Sequence, residues 1–532
     1  MAFSSRQWAL NYYRRTVSQL ARLTIEVLQL QACRGESYNG FGKPSLHPQR
    51  RCFSKRDNLR AGFLFVLGLG LMLMGGITGI SWSIQATPAN PTLTVHDEVV
   101  GVSTQYIGAC EGNINFDLAD LTDLGLNTYR IYGGMARWET RDDDGVYGYP
   151  TIEQIKADPD TVNWGWWDTV MTHPKGGSDY AFSGNPAKLW QGNARTLFET
   201  INQAQIRPVL TLRNIDSNWN PAWALPLNPP RTTEDWNEWW EHVFATVYWL
   251  NVRNDYRVDD FEIHNEPDNW EQGWGGNQQD YFELTRVAKD AITHVYNTYL
   301  PDRSYHIHAP KTTGGSDWPA QVLASIPKEF DQINVHNYER DISDYVRQLR
   351  EWMQGTIHEN SPLWLGEWGS YTGGYDDLAF SLDLIKNMLR MSRPGPTHVE
   401  GSHLFSLYDW GNDLEGLITT DNRRRLGYYA FRMGIRALQG GRKVLRINGS
   451  DPKVMSLATR NAQGHVFLLM VNDQTTDYTF EVNFEIPRNF IRREVWEFSQ
   501  TALDRQVEVS DSSEKVFTLS LPAQSSRLVV LN

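Results

Sequence analysis

Eight short apolar segments, each typical of a β-strand, are separated along this chain by longer stretches with helical periodicity. The predicted strands are Val99–Ile107, Thr128–Tyr132, Arg207–Leu212, Asp260–His264, Ser304–Ala309, Gln332–His336, Pro362–Glu367 and Ser402–Leu407. Strands that alternate with helices at this spacing form a parallel sheet, and eight such units close into a barrel. The sequence therefore predicts an α/β protein with a (β/α)8 TIM barrel over residues 95–438.

Helical segments lie between these strands, and one connection is much longer than the others. The predicted helices are Asp117–Leu124, Lys188–Gln205, Trp236–Asn251, Tyr281–Tyr299, Ile342–Gly355 and Leu378–Ser392. Residues 133–187 form a long stretch that we predict to be irregular, and it contains Trp164, Trp166 and Trp167. Because this connection follows a strand, it lies on the catalytic face of such a barrel, where long loops shape substrate clefts. We therefore expect it to be ordered and to border a cleft.

After about Gly440 the pattern changes to short alternating runs separated by Gly, Asn, Asp, Ser and Pro, with no helix between them. The runs are Val454–Thr459, Val466–Val471, Tyr478–Phe484, Glu494–Phe498, Val507–Val509, Val516–Leu521 and Ser526–Leu531. This pattern predicts a C-terminal antiparallel β-sandwich domain over residues 439–532. The segment Thr92–Val95 is a candidate for one further strand of that domain.

The N-terminal part of the chain differs in composition from the rest. Residues 1–60 hold 11 Lys/Arg against 3 Asp/Glu, and residues 62–82 contain no charged side chain. Twenty-one uncharged, mostly apolar residues are enough for a helix to span a bilayer. The basic flank before them places the N-terminus in the cytoplasm. We therefore predict a basic cytoplasmic segment (1–61), a transmembrane helix or signal anchor (62–82) and a linker (83–94).

This topology leaves the barrel membrane-anchored on the extracytoplasmic side. Two alternatives remain open for the apolar segment. A cleaved signal peptide would leave the remainder secreted. A buried core helix would leave no membrane span at all.

Charge and cysteine content restrict the partners and the compartment. Residues 61–532 carry 39 Lys/Arg against 60 Asp/Glu. An acidic body argues against nucleic acid as a partner, because phosphate binding requires basic patches. Only Cys110 follows the apolar segment, so the exported part can form neither an internal disulfide nor a cysteine metal cluster.

Two apolar runs contain the candidate catalytic residues of the sequence, one glutamate near the end of each. They are Phe261–Pro267 (FEIHNEP) and Leu363–Gly369 (LWLGEWG), with the carboxyl groups of Glu266 and Glu367. The ends of barrel strands meet on one face, so these two carboxyl groups are expected to face each other. Cleavage of a glycosidic bond needs one carboxylic acid and a second carboxylate as nucleophile or base. Asn265 can donate a hydrogen bond to a sugar hydroxyl beside that bond.

The neighbouring sequence favours separate roles for the two glutamates. Glu266 fits the acid/base. Glu367 fits the nucleophile, which must stay ionised and therefore needs hydrogen-bond donors around it. Arg130 at the end of the second strand, and His336 and Tyr338 at the end of the sixth, are candidate donors.

This arrangement resembles the clan A glycoside hydrolases, and the chain is most similar to glycoside hydrolase family 39, the group of β-xylosidases and α-iduronidases. The residues that carry the resemblance are Asn265-Glu266-Pro267 with Trp270 and Trp274, then Phe405–Trp410, Gly416–Ile418 and Gly427–Phe431. The chain departs from the family at Asp268, where Asn is usual, and at Arg425 and Leu426, where Lys-Pro is usual. The substrate therefore does not transfer from the family.

The resemblance implies a retaining mechanism, with Glu266 as the acid/base on the fourth strand and Glu367 as the nucleophile on the seventh. It also implies that His336 and Tyr338 lie near the nucleophile and that Asn265 lies near the sugar 2-hydroxyl.

Three tryptophans are candidate sugar-binding residues under this resemblance. Trp410, just past the eighth strand, would form the floor of the sugar subsite, and Trp270 and Trp274 follow the acid/base. Packing in the protein core is an equally good interpretation of each.

The sequence thus predicts a retaining glycosidase, without metal or cofactor, that acts on an extracellular or cell-envelope polysaccharide or oligosaccharide by double displacement. A transglycosidase would use the same covalent intermediate. A membrane-tethered barrel that binds glycans without cleaving them is another alternative. A third is a zinc hydrolase built on His306, His308 and His336.

Overall fold

The computed structural model describes residues 90–111, 117–138, 150–172, 193–213, 228–269, 274–338, 341–370, 373–409, 414–511 and 514–532. The predicted membrane-spanning segment at residues 62–82 lies outside these ranges. Within them, no helix combines the length and the apolar character needed to cross a bilayer.

Up to residue 438 the described elements are strands and helices, and after it they are all strands. The strands are β1 (Thr92–Val102), β2 (Tyr106–Cys110), β3 (Thr128–Tyr132), β4 (Arg207–Leu212), β5 (Asp260–Ile263), β6 (His306–Pro310), β7 (Gln332–Asn337), β8 (Leu363–Gly369), β9 (Gly401–Phe405), β10 (Lys443–Asn448), β11 (Val454–Arg460), β12 (Val466–Asn472), β13 (Tyr478–Glu485), β14 (Arg493–Phe498), β15 (Arg505–Ser510), β16 (Val516–Leu521) and β17 (Ser525–Leu531). The α-helices are α1 (Leu118–Leu124), α2 (Met135–Trp138), α3 (Ile152–Ala157), α4 (Trp164–Thr172), α5 (Ala194–Gln203), α6 (Thr233–Tyr248), α7 (Gln278–Tyr299), α8 (Trp318–Ser325), α9 (Ile342–Met353), α10 (Leu378–Ser392) and α11 (Leu426–Leu438).

The predicted eight-stranded barrel is confirmed. Strands β2 to β9 pair in parallel in sequence order, and β9 closes the barrel by pairing with β2. Every residue of β3 and of β7 is buried. Such burial on both faces is the reason that parallel strands read as near-continuous apolar runs in a sequence.

The first predicted strand, Val99–Ile107, is wrong as one element. The apolar run is interrupted by Ser103, Thr104 and Gln105, where the backbone hydrogen-bonds to Arg442 and Glu400 instead of continuing a ladder. The part before the break belongs to β1, which pairs with β10, and the part after it is β2 of the barrel. The barrel therefore begins at Tyr106.

The remaining nine strands form one curled, mostly antiparallel sheet, in the order β15-β14-β17-β12-β11-β10-β1-β13-β16. This arrangement fits the predicted sandwich domain. The candidate strand at Thr92–Val95 is confirmed, because β1 lies between β10 and β13 in this sheet. Strand β10 does not appear among the predicted strands.

Strand β12 shows how the sheet is held to the barrel. All seven of its residues are buried. Phe467, Leu469 and Val471 join the hydrophobic core of the barrel, whereas Val466 and Leu468 join a second core inside the curled sheet. Successive side chains of a strand point to opposite faces, so a strand buried on both faces is apolar throughout.

The long connection after β3 is not irregular where the structure describes it. It contains α2, α3 and α4, and the predicted tryptophans lie on α4. Trp167 is fully buried, and Trp164 stacks on Tyr248 of α6 with ring centroids 5.0 Å apart. These side chains therefore pack against the helical layer, and the spacing of the apolar residues at 164, 167, 170 and 171 is that of a helix face.

A buried ion-pair cluster joins α11 of the barrel to the loop between β14 and β15. The Asp504 carboxylate is fully buried and accepts hydrogen bonds from Arg432 (Nε, 2.7 Å) and Arg436 (Nη1, 3.0 Å). The Arg436 guanidinium also lies 4.0 Å from the ring centre of Trp496. One buried carboxylate thus holds two arginines where α11 of the barrel meets the curled sheet.

We expect Asp504→Asn to lower the free energy of unfolding by about 2–3 kcal/mol, because it removes the ion-pair partner of Arg436 and leaves Arg432 paired with Asp123 alone. Asparagine tolerates the positive φ of 49° at this position, so the change isolates the charge. The matched control is Glu98→Gln, which breaks the half-exposed pair with Arg446 and should cost at most about 1 kcal/mol. Urea unfolding of both variants measures the difference, and equal losses would contradict the assigned role of Asp504.

Candidate active site

The carboxyl ends of four barrel strands bring a compact set of polar side chains together. They are Arg130 and Tyr132 on β3, Asn265 and Glu266 after β5, His336 and Tyr338 at the end of β7, and Glu367 on β8. Six of them are less than a tenth exposed. The seventh, Tyr338, is partly buried, and its hydroxyl donates to Glu367. Six of these seven residues are among those predicted from the sequence.

The chain leaves β5 through an unusual backbone that aims Glu266 into the barrel mouth. His264 and Glu266 have positive φ angles of 61° and 48°, which non-glycine residues rarely adopt. Backbone hydrogen bonds hold this turn: the His264 N–H donates to Leu212 (2.7 Å), and the Glu266 N–H donates to Lys311 (3.0 Å). Residues in such conformations are kept by the surrounding structure and cluster at functional sites.

The Glu367 carboxylate has donors on both oxygens. Its Oε1 accepts hydrogen bonds from Arg130 Nη1 (2.6 Å) and from the Tyr132 hydroxyl. Its Oε2 accepts one from the Tyr338 hydroxyl (2.5 Å), and His336 Nδ1 lies 3.3 Å away. Hydrogen bonds of this kind favour the ionised form of a carboxyl group. The donors on both oxygens also hold the Glu367 side chain in one orientation.

Arg130 connects Glu367 and Asn265 of the predicted site to Glu262 in the barrel interior. Its Nε donates to Glu262 (2.5 Å), its Nη1 to Glu367 (2.6 Å) and its Nη2 to Asn265 Oδ1 (2.8 Å). Burial alone would lower the pKa of Arg130, but Glu262 and Glu367 raise it well above its ordinary value. The guanidinium is thus a permanent cation at the floor of the site.

Glu266 lies in a contrasting environment. Burial raises its pKa to about 8, the negative charge of Glu367 adds to the rise, and the hydrogen bond from Asn269 Nδ2 to Oε2 (3.1 Å) opposes it. One oxygen from each of Glu266 and Glu367 and one nitrogen of His336 all lie within 4.8 Å of one another. This closeness agrees with the carboxyl separation of roughly 5–5.5 Å in retaining glycosidases.

His336 bridges the two carboxyl groups through one nitrogen. Nδ1 lies 2.7 Å from Glu266 Oε1, whereas Nε2 is buried and has no hydrogen-bond partner in the described part of the chain. Burial, with the nearby cations Lys311 and Arg130, holds the pKa of His336 well below its usual value. The ring is therefore neutral, and we assign its proton to Nδ1, which lies close to both carboxyl groups.

Glu266, His336 and Glu367 offer ligand atoms close enough together to hold a metal ion. Arg130, however, already sits 2.6 Å from Glu367 and supplies the positive charge that a cation would provide. The predicted histidine set does not converge on a site. His306 and His308 pair with Asp260, at 3.4 and 3.0 Å, away from His336 and its two glutamates.

The predicted tryptophans are not in the described part of the site. Trp270 and Trp410 lie outside the described residues. Trp274 is 2% exposed, and its ring lies 4.8 Å from that of His264. This position fits the core-packing alternative. Trp368, which its place beside Glu367 suggests as a cleft residue, is also fully buried and packs against Phe431 on α11.

His264, in the turn before Glu266, is fully buried. Neither of its ring nitrogens has a hydrogen-bond partner among the described residues. Burial, with a smaller contribution from Arg213, holds its pKa well below the usual value, so the ring is neutral. The positive φ turns its side chain away from the alternation that a regular strand would give.

The two departures from family 39 have structural partners here. Asp268 accepts hydrogen bonds from Thr313 (backbone N–H, 2.9 Å) and Ser316 (hydroxyl, 2.5 Å), which tie the turn after β5 to the loop after β6. Arg425 forms a two-pronged ion pair with Asp409 (2.6 and 2.8 Å), beside the segment that follows β9. Both substitutions therefore fasten loops around the site.

Sequence reasoning missed Tyr132, which donates to Glu367, and Lys311, which contacts Glu262 at 3.0 Å. Tyr132 could have been found, because it lies two residues after Arg130 on the same strand and so shares its face. Lys311 follows the end of β6 directly after Pro310 and carries no periodic signal.

A comparison with models of known protein families finds no match. One curated protein, a β-xylosidase from Caldicellulosiruptor saccharolyticus, is 26% identical over 120 residues. The alignment covers 22% of this chain and 23% of that protein, so the chain spans less than a quarter of the curated relative that it matches.

Several solved structures of glycoside hydrolases share the fold. A family 39 β-xylosidase from Caulobacter crescentus has a TM-score of 0.58 at 15% identity, over 83% of this chain and 99% of that one. A family 39 enzyme from Xanthomonas axonopodis pv. citri has a TM-score of 0.58 at 15% identity, over 84% and 98%. A family 30 subfamily 8 xylanase from Clostridium acetobutylicum has a TM-score of 0.57 at 13% identity, over 83% and 99%. The predicted resemblance to clan A glycoside hydrolases, including family 39, is confirmed at the level of the fold.

Proposed function

We propose that this protein is a retaining glycoside hydrolase that cleaves O-glycosidic bonds by double displacement. The observation that carries the proposal is the contrast between two adjacent buried carboxyl groups. Glu367 accepts three hydrogen bonds, from Arg130, Tyr132 and Tyr338, of the kind that stabilises a carboxylate, whereas burial raises the pKa of Glu266 to about 8. Two carboxyl groups whose environments separate their charge states are the acid and the nucleophile of such a reaction.

In the first displacement, a Glu367 carboxylate oxygen attacks the anomeric carbon and forms a covalent glycosyl ester. The bond from that carbon to the leaving oxygen breaks, and Glu266 donates its proton to the leaving oxygen. Since Glu266 Oε1 faces the proton on His336 Nδ1, the transferable proton sits on Oε2. The Asn269 amide donates to that same oxygen and fixes its direction.

In the second displacement, Glu266 is a carboxylate and acts as the base. It takes a proton from a water molecule whose oxygen attacks the anomeric carbon, and the ester bond to Glu367 breaks. Two inversions at one carbon return the original configuration. The Asn265 side chain, whose Oδ1 is engaged by Arg130, presents its amide nitrogen to the sugar 2-hydroxyl.

The substrate is proposed to be a β-linked sugar chain or a short oligosaccharide. The names of the similar proteins support xylose-containing substrates as the first to test, because they include β-xylosidases and xylanases. Residues 173–192 and 214–227 lie outside the described residues.

We also propose that the enzyme works outside the cytoplasm, on an extracellular or cell-envelope polysaccharide, tethered by residues 62–82 or released if that segment is cleaved. The support is the uncharged 21-residue run and the basic residues before it. We propose that nucleic acid is not a partner, and the excess of acidic residues over residues 61–532 supports this. Transglycosylation would need an acceptor sugar in place of water and uses the same two glutamates.

Glu367→Gly should reduce hydrolysis of aryl glycosides by at least about 10³-fold, because it removes the attacking oxygen. Azide should restore turnover and give a glycosyl azide of inverted configuration, since the small anion enters where the carboxylate stood. The exposed Glu359→Gly serves as control and should keep wild-type rates. Full activity of Glu367→Gly would refute the nucleophile assignment, and a wild-type protein that turns over no glycoside would favour a pure glycan-binding barrel.

Hydrolysis should decline as the pH rises through about 8, because the acid/base must be protonated and burial raises the pKa of Glu266 to about that value. A raised pKa keeps the proton bound below it, so the active form exists on the acidic side. The profile of kcat/KM against pH measures this limb. Glu266→Ala, assayed with a dinitrophenyl glycoside whose leaving group needs no proton, should lose the alkaline limb. A limb that persists unchanged would show that the ionisation of a group other than Glu266 sets it.

A further inference from the structure

Lys311 is a fully buried lysine that the proposed double displacement does not use. It follows β6 directly, and its side chain has no solvent exposure. Its Nζ lies 3.0 Å from Glu262 Oε1 and 3.4 Å from Asn334 Oδ1. An ammonium group is seldom buried without a specific counter-charge, because burial removes its hydration.

The surrounding chain makes special room for this lysine. Its φ angle is +57°, in the left-handed region that non-glycine residues rarely adopt. On β8, a Cβ at Gly366 would overlap both Lys311 Nζ and Asn334 Oδ1. A glycine immediately before Glu367 is therefore required for the lysine to reach its position.

Two side chains, Glu262 and Arg130, connect Lys311 to the proposed nucleophile Glu367. Glu262 accepts hydrogen bonds from Lys311 and Asn334 on Oε1, and from Thr211 (2.6 Å) and Arg130 (2.5 Å) on Oε2. Arg130 in turn donates to Glu367. The carboxylate of Glu262 thus fixes the guanidinium that fixes Glu367.

The charges of this chain of contacts balance. Arg130 and Lys311 are two cations, and Glu262 and Glu367 are two carboxylates, so these four groups together carry no net charge. Arg213, whose charge also acts on Glu266 and Glu367, lies outside this chain of contacts. Burial opposes ionisation of Glu262, but Arg130 and Lys311 hold its pKa well below the usual value. Burial and Arg130 lower the pKa of Lys311 to about 8, while Glu262 opposes that fall.

We propose that Lys311 is a positioning residue: as the counter-ion of Glu262, it keeps Arg130 fixed on Glu367 and balances the site so that Glu266 is the group that carries the exchangeable proton. This inference rests on the proposed function for its catalytic meaning, but the charge balance is a property of the folded protein alone.

The ionisable groups that act on this pair or on its neighbours lie on six strands of the barrel. They are Cys110 on β2, Arg130 on β3, His308 on β6, His336 on β7, Glu367 on β8 and His403 on β9. Burial holds the pKa of His336 and of His403 well below the usual value and raises that of Cys110, so these three are neutral. His308 pairs with Asp260 at 3.0 Å.

Two variants of the full-length chain test the proposal. Lys311→Met keeps the length of the side chain and removes its charge, which leaves one unbalanced carboxylate. The double variant Glu262→Gln/Lys311→Met removes both charges and restores neutrality. The pKa of Glu266 is measured by ¹³C NMR of labelled glutamate carboxyl groups, assigned with Glu266→Gln, and kcat is measured with a dinitrophenyl glycoside.

We expect Lys311→Met to raise the Glu266 pKa by about 0.5 unit or more and to lower kcat at least about 10-fold. The double variant should return the pKa towards the wild-type value and recover part of kcat. An unchanged pKa in Lys311→Met, or a double variant shifted as far as the single one, would overturn the proposal and leave Lys311 a packing residue.

The NMR titration does not depend on turnover. A wild-type chain that hydrolyses nothing but shows the predicted pKa pattern would therefore refute the proposed function and keep the charge balance. If Lys311→Met does not fold, Lys311→Gln replaces it, because its amide can still donate to Glu262 without a charge. The same rise in the Glu266 pKa is expected.

Discussion

The Arg130 guanidinium is the interaction on which the rest of the site depends. Its three nitrogens bind Glu262, Glu367 and Asn265, and so connect β3 with β5 and β8. Burying this many charges does not favour folding over an apolar core, since desolvation offsets most of the attraction. The barrel supplies the stability elsewhere, and the charged floor gives the two glutamates fixed positions and different charge states.

The backbone around the site shows where this arrangement is kept against local preference. His264, Glu266 and Lys311 all have positive φ angles, and two of them are joined by the hydrogen bond from the Glu266 N–H to the Lys311 carbonyl. The strained turns lie at the ends of β5 and β6, on the barrel face where substrate would bind. Strain that persists at adjacent strand ends is expected at a functional site, because the surrounding fold over-determines it.

The sequence predicted the parts of this structure that follow a period. Strand alternation with helices led to the barrel, and counting strands placed Glu266 and Glu367 on strands four and seven of the barrel. What periodicity could not predict was a break inside an apolar run, as at Ser103. The helix at Trp164–Thr172 has the apolar spacing of a helix face, but the stretch was predicted to be irregular. The role of Lys311 could not be predicted, because it depends on Gly366, which is close to it in space but distant in sequence.

The central claim is that Glu367 becomes covalently bonded to the sugar. It is tested most directly with a dinitrophenyl 2-deoxy-2-fluoro-β-glycoside of the best substrate sugar, which slows release of the intermediate, followed by peptide mass spectrometry. The account predicts a stable adduct on the peptide that contains Glu367, and no adduct in Glu367→Gly. An adduct on another residue, or turnover with inverted product and no adduct, would contradict it.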